Sequence, residues 1–309
     1  MNMLGIKEIA SYIPENRVSN YDRKEKFSIN DHFIEKKIGV KRVALKGKNE
    51  NTSDLCVKSF SKLTEKISID KNKIEAMVVV TQNPDNNIPH TSAIVHGILG
   101  LSNKCACFDI SLGCSGYVYG LSILKSFMQD NNLNNGLLIT ADPYSKIIDM
   151  EDKNTSLLFG DASSVTLITD NPVYTFGKFT FGTIGKKYEY LVCRDNKLYM
   201  NGAEIFKFAS EYIPNDIIML LKANNIDIKD IDRFIFHQGS KYIVDTIAKS
   251  LNINTENVAF DIYDYGNTVS SSIPIIIEKE LRKEEVEKIV ISGFGVGLSW
   301  ASGFLIRNN

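Results

Sequence analysis

The feature that most constrains this chain is a faint internal repeat. KIEAMVVVTQ at residues 73–82 carries an acidic residue into an apolar run, and DIDRFIFHQ at residues 230–238 does so again 157 positions later. FDI at residues 108–110 recurs as FDI at 260–262, an offset of 152, and each copy leads into a small-residue turn and then a helical stretch. Two matches in the same order at nearly the same offset indicate a duplicated unit far longer than a solenoid repeat. A chain of 309 residues is long enough for two such units. We divide it into residues 1–170 and 171–309.

Hydrophobic periodicity fills in the units. Helical spacing is read over 52–67, 91–99 and 114–129, with strands at 76–81, 106–110, 136–141 and 163–169. The second half gives helices at 204–224, 240–251 and 270–282 and strands at 233–237, 257–261, 287–292 and 299–306. This largely α/β order predicts mixed sheets covered by helices, and a five-layer arrangement about a pseudo-twofold axis accommodates both halves. The stretch from Asn171 to Tyr199, rich in Gly, Lys and aromatic residues, is the least regular and reads as the join.

Charge and composition remove several functions. Lys and Arg number 36 against 37 Asp and Glu, with no basic stripe to neutralise nucleic-acid phosphates. The N-terminus lacks the pattern of a secretory signal and no apolar run approaches a membrane span, so a soluble cytoplasmic protein is expected. Five irregularly spaced cysteines argue against a disulfide framework. Cys105 and Cys107 lack a second pair of soft ligands, so no metal site is expected. Cys56 and Cys193 read as inert, His90 as a turn residue and His96 as a helical one.

Three residues carry chemistry. Cys114 lies in FDISLGCSGYVYGLSIL, after a strand and ahead of apolar positions at helical spacing. A helix N-terminus there is expected to stabilise a thiolate and lower the thiol pKa, while Gly113 and Gly116 allow a tight turn and close approach. The alternative is a small buried hydrophobe at a strand–helix junction. His237 ends the apolar run RFIFH, at the strand end where open α/β sheets place ligands. Asn267 lies in YDYGNTVSSSIP after the second FDI, at nearly the place that Cys114 holds in the first half. A Gly-Asn turn is its ordinary reading. If the duplication is real, Cys114 and Asn267 meet near the axis beside His237.

Over nearly its whole length the chain resembles the β-ketoacyl-acyl carrier protein synthase III family of the thiolase superfamily. The segments are GIKEIASYIPENRVSN, IPHTSAIVHGILGL, FDISLGCSGYVYGL, LLFGDASSVTLI, MNGAEIFKF, HQGS, YGNTVSSSIP and GFGVGLSW. The resemblance implies a thiolase-like fold and a Cys114, His237, Asn267 triad. Thiolases and elongating synthases would require a second Cys or His, and plant-type polyketide synthases are considerably longer.

The implied reaction is a decarboxylative Claisen condensation. Cys114 takes an acyl group from an acyl-CoA or similar thioester, with the oxyanion held by the backbone N–H groups of Cys114 and Val296. Neutral His237 and Asn267 then hold the enolate of a malonyl thioester on acyl carrier protein as carbon dioxide leaves. No cofactor is implied, CoA entering as part of a substrate. A homodimer is implied, with Ile88 at the loop that closes the partner's pocket.

Departures from the family pattern fall around the nucleotide and acyl sites. Phe33 stands for the usual Trp, and Lys37 and Lys153 stand for two Arg, which keeps charge but loses the bidentate fork. Ser240 replaces an Asn near the pantetheine path, Tyr242 replaces a basic residue, and Val296 replaces a Gly beside the acyl site. The segment joining the halves is shorter than usual. These differences leave a specialised pathway supplying a glycan, lipid or secondary metabolite as open as fatty-acid initiation. Three further readings stay open at this point. They are acyl transfer from Cys114 to an alcohol or amine, a cysteine hydrolase, and a non-catalytic partner subunit, against which the presence of Cys114 speaks.

Overall fold

In a computed structural model, residues 3–308 are described. The principal strands are β1 (Gly5–Tyr12), β2 (Ala76–Val80), β3 (Ala106–Ile110), β4 (Asn135–Ala141), β5 (Ser163–Thr169), β6 (Tyr174–Thr183), β7 (Arg233–Phe236), β8 (Lys288–Gly295) and β9 (Ser299–Arg307). The longer helices are α1 (Thr52–Lys66), α2 (Thr91–Leu99), α3 (Gly116–Asp130), α4 (Gly202–Asn224), α5 (Lys241–Ser250) and α6 (Ser272–Glu280).

Hydrogen bonding joins the strands in the order β7-β8-β9-β6-β1-β5-β4-β2-β3. The join at β1 and β6 consists of only two residue pairs, Gly5 with Thr175 and Ile6 with Tyr174. On either side the pattern repeats. In the first half β2 runs parallel to β3 and β4, and β5 is antiparallel to β4 and β1. In the second, β7 is parallel to β8, and β9 is antiparallel to β8 and β6.

Helix contacts define the layers. Helices α1 and α2 cover the outer face of the first half-sheet, and α4 with α5 cover that of the second. Helices α3 and α6 touch strands of both halves, so they form the central layer of a five-layer αβαβα sandwich. Its apolar filling includes Val78, Val80, Tyr117, Leu121, Ile273, Ile276, Ile289 and Ile291. These strands are β-branched runs buried on both faces, which is why they read as continuous apolar segments.

Two expectations need correction. Residues 257–261 form no strand: the contact with β7 is a single bridge, Phe234 to Val258. The edge position carries Asn257 and Asp261, and Phe260 packs instead against Tyr263 with ring centroids 5.1 Å apart. Conversely, the supposedly irregular join contains β6, a ten-residue strand between β9 and β1. Its glycines hid it from a propensity reading, yet close packing requires them. A Cβ at Gly182 would stand 1.9 Å from the Trp300 ring, and one at Gly177 would stand 2.6 Å from Asn224 Oδ1.

Candidate active site

The duplication delivers two equivalent turns to one place. Cys114 precedes α3 and Asn267 precedes α6, and both central helices approach the interface between the halves. Cys114, His237 and Asn267 line a single cavity of about 1100 Å³. Their exposures of 3%, 3% and 2% place all three at its buried end.

Cys114 is enclosed by glycine-bearing strand β8. A Cβ at Gly295 would lie 2.8 Å from Cys114 Sγ, and one at Gly293 would lie 2.6 Å from the Cys114 carbonyl oxygen. These glycines let the strand pass against the nucleophile. The backbone N–H groups of Val296 and Cys114 both act on the Cys114 sulfur and favour its thiolate. Two donors thus converge where an oxyanion on an acyl group at this sulfur would form.

The expected low thiol pKa is reversed. Burial pushes the Cys114 thiol up to about 12 and the nearby Asp142 carboxylate adds to the rise, against the two backbone N–H groups. Desolvation disfavours the charged form, and here it outweighs the turn at the helix start. Asp142 is itself buried, and that burial raises its own pKa to about 7.

His237 follows β7, its N–H donating to the Ser292 carbonyl at 2.7 Å. Burial lowers its pKa to about 3, so the ring is neutral at physiological pH. Nδ1 lies 2.8 Å from Ser272 Oγ and Nε2 lies 3.4 Å from Asn267 Nδ2. The Phe294 ring stands edge-on to the imidazole at 5.6 Å. Asn267 is fixed by three backbone bonds. Its N–H donates to the Leu158 carbonyl at 2.8 Å, its carbonyl accepts from Gly160 at 3.0 Å, and its Oδ1 accepts from Val269 N–H at 2.9 Å. With Oδ1 occupied, Nδ2 is the atom presented to His237.

The same cavity gathers the residues assigned to CoA binding. Phe33, Lys37, Lys153 and Ser240 all line it. Lys37 Nζ and Lys153 Nζ lie 5.7 and 5.4 Å from the Phe33 ring centroid. Cation–π contact therefore groups two charges around one aromatic ring. The Ser240 side chain caps α5, accepting from Ile243 N–H at 3.3 Å. Tyr242 stacks on Phe206 with centroids 4.9 Å apart.

The Val296 side chain and Ile88 do not line this cavity. The Val296 side chain lines a second cavity of about 620 Å³ while Gly295 lines the first, and Leu198 lines both. Ile88 is 88% exposed and lines neither. Sequence reasoning did not single out Ser272 or Phe294, although both lie in motifs that it quoted, nor did it single out Asp142. Among the described residues no cluster of His, Cys, Asp and Glu could hold a metal ion.

A buried cysteine with two convergent N–H donors and a neutral His-Asn pair, set between two halves of a thiolase-like sandwich, defines an acyl-transferring condensing enzyme. Family models support the narrower assignment. Residues 108–185 match 3-oxoacyl-[acyl-carrier-protein] synthase III, and residues 221–306 match its C-terminal region. A Campylobacter jejuni β-ketoacyl-[acyl-carrier-protein] synthase III is 33% identical, over 97% of this chain and 96% of the relative. One from Clostridium novyi is 32% identical over 98% of each. Among solved structures, β-ketoacyl-[acyl carrier protein] synthase III of Thermus thermophilus has a TM-score of 0.91 at 29% identity, covering 98% of this chain and 99% of that one. The 3-oxoacyl-[acyl-carrier-protein] synthase III of Aquifex aeolicus has a TM-score of 0.92 at 26% identity, covering 98% and 100%. The chain belongs to the β-ketoacyl-acyl carrier protein synthase III family.

Proposed function

We propose that Cys114, His237 and Asn267 catalyse the family's decarboxylative condensation of an acyl thioester with a malonyl thioester. The observation that carries this reading is the Asn267 amide. Its oxygen is tied to Val269 N–H, so its N–H group is presented beside His237 Nε2, 3.4 Å away, at one point of the cavity that both residues line. Two donors about that point suit a thioester enolate oxygen.

The sequence begins when Cys114 Sγ attacks the acyl-CoA carbonyl. The N–H groups of Cys114 and Val296 hold the oxyanion, and the thiol proton leaves with the CoA sulfur. The malonyl group then enters on acyl carrier protein, the partner the family uses. Its C–COO⁻ bond breaks, the electron pair moves into the enolate held by His237 and Asn267, and carbon dioxide departs. The carbanion attacks the acyl-Cys114 carbonyl and expels the thiolate, which takes up a proton. One proton is consumed overall, and the products are a β-ketoacyl thioester, carbon dioxide and free CoA. Each step uses protein groups and substrates, so the reading needs no cofactor.

Phe33, Lys37 and Lys153 would bind the nucleotide end of CoA, with Ser240 beside the pantetheine arm. A homodimer is supported by β3, an apolar edge strand left half-exposed in the single chain, and by the exposed Ile88, which would close the partner's pocket. No helix among the described residues is long and apolar enough to cross a membrane. We assign the enzyme to the cytoplasm, where reducing conditions keep Cys114 a thiol.

Intact-mass analysis with a panel of acyl-CoAs, compared with Cys114→Ala, tests the reading. An adduct present only with Cys114, cleared by malonyl thioester with release of carbon dioxide, is the expected result. An adduct cleared only by an alcohol or amine would overturn condensation, and an adduct that persists in Cys114→Ala would overturn the nucleophile.

A further inference from the structure

Enolate stabilisation requires His237 to donate from Nε2, and a neutral imidazole has a single N–H to place. If Nδ1 carries the proton, Nε2 is a lone pair that accepts from Asn267. The pair would then satisfy itself and offer the substrate no imidazole donor. What contacts Nδ1 therefore decides whether the site works. Ser272 Oγ does so at 2.8 Å, and the Val269 carbonyl, 3.0 Å from that hydroxyl, acts on the same ring. The carbonyl only accepts, so it favours the proton on Nδ1. The hydroxyl can donate, so it favours the proton on Nε2.

We propose that Ser272 is a positioning residue that donates its hydroxyl proton to His237 Nδ1, holding His237 in the Nε2–H form needed for decarboxylation. This rests on the condensing reading above. The hydroxyl belongs to a buried residue, Ser272 being 2% exposed, and its competing acceptor is the Val269 carbonyl at 3.0 Å. Val269 adopts a left-handed φ of +54°, a region costly for a β-branched residue. That backbone turn directs the Val269 N–H to Asn267 and sets its carbonyl beside Ser272 and the imidazole. One strained residue thus fixes the amide of Asn267 and poses the choice that Ser272 resolves.

The test separates the two half-reactions. In Ser272→Ala the hydroxyl at Nδ1 is lost and the Val269 carbonyl, an acceptor only, remains beside the ring. Carbon dioxide release from malonyl thioester should fall on the order of 10²-fold, as for loss of one oxyanion donor, while acylation of Cys114 changes less than about threefold. Ser272→Thr should restore release. Should Ser272→Ala fail to fold, Ser272→Cys, a weaker donor, should show the same split at smaller scale. Nitrogen NMR of labelled histidine, with His237→Asn used to identify the signals, should show a pyrrole-type Nε2 in the wild type and a pyrrole-type Nδ1 in Ser272→Ala. A wild-type ring already protonated at Nδ1, or a Ser272→Ala ring still protonated at Nε2, would overturn the proposal. If the wild type acylates yet releases no carbon dioxide, the condensing reading fails, and the nitrogen signals still decide the role of Ser272.

Discussion

The thiol of Cys114 makes the sharpest test of how burial and helix position compete. Free cysteine titrates near 8.5, so at pH 7.5 about a tenth is thiolate, whereas a pKa of about 12 leaves roughly 3 in 10⁵. That is a roughly 3000-fold deficit. A more basic thiolate is a better nucleophile, and a Brønsted coefficient of about 0.45 over the shift of about 3.5 returns roughly 40-fold. The expected alkylation by iodoacetamide at pH 7.5 is therefore roughly 10²-fold slower than for a free thiol, read by peptide mass at Cys114. Restricted access would slow the reaction further, so the pH profile is the decisive quantity. The rate should rise about tenfold per unit from pH 6 to 10 without levelling, because the titration lies above that window. Asp142→Asn removes the second cause of the rise and should speed alkylation above about pH 7, where the Asp142 carboxyl is ionised. A plateau between pH 6 and 8 would refute the reasoning and show that the helix start prevails over desolvation.

Three further outcomes follow from neighbouring contacts. Val296→Gly should connect the two cavities, raising kcat/KM for an octanoyl over an acetyl primer about tenfold in competition assays, the scale of a methylene or two in an apolar pocket. Gly160→Ala would set a Cβ 1.8 Å from the Tyr265 carbonyl and disturb the N–H that holds Asn267, so urea unfolding should register a loss of about 1–3 kcal/mol together with reduced decarboxylation. His237, whose pKa falls to about 3 from 6.5, contributes stability that is present above pH 6.5 and lost as pH drops toward 3. Relative to the wild type, His237→Asn should gain about 2 kcal/mol between pH 7.5 and pH 5, and parallel curves would exclude a buried neutral ring.

The sequence made the architecture legible where burial is two-sided. The paired apolar runs became β2 and β7 because a strand covered on both faces by helices has no polar positions to blur it. Strand β6 escaped because its identity is set from outside. Gly177 and Gly182 are there for Asn224, Phe304 and Trp300, residues up to 127 positions away that only the folded sheet brings near. The site divides along the same line. Cys114 and Asn267 could be placed together because equivalent turns in a duplicated fold meet at its axis, and His237 because strand ends face that axis. Their ionisation could not be placed, since it depends on what encloses them. A helix start is visible in LGCSG, but the burial that overrides it, to which β8 contributes, and the Asp142 charge that adds to it come from segments remote in sequence. The same holds for Ser272, one of three consecutive serines, of which only this one touches the His237 ring. Its neighbour Ser271 turns instead to Thr140, at 2.8 Å, where it ties β4 to the start of α6. Side-chain direction along the first turn of α6 thus separates a residue that builds the core from one that sets a proton on the catalytic ring.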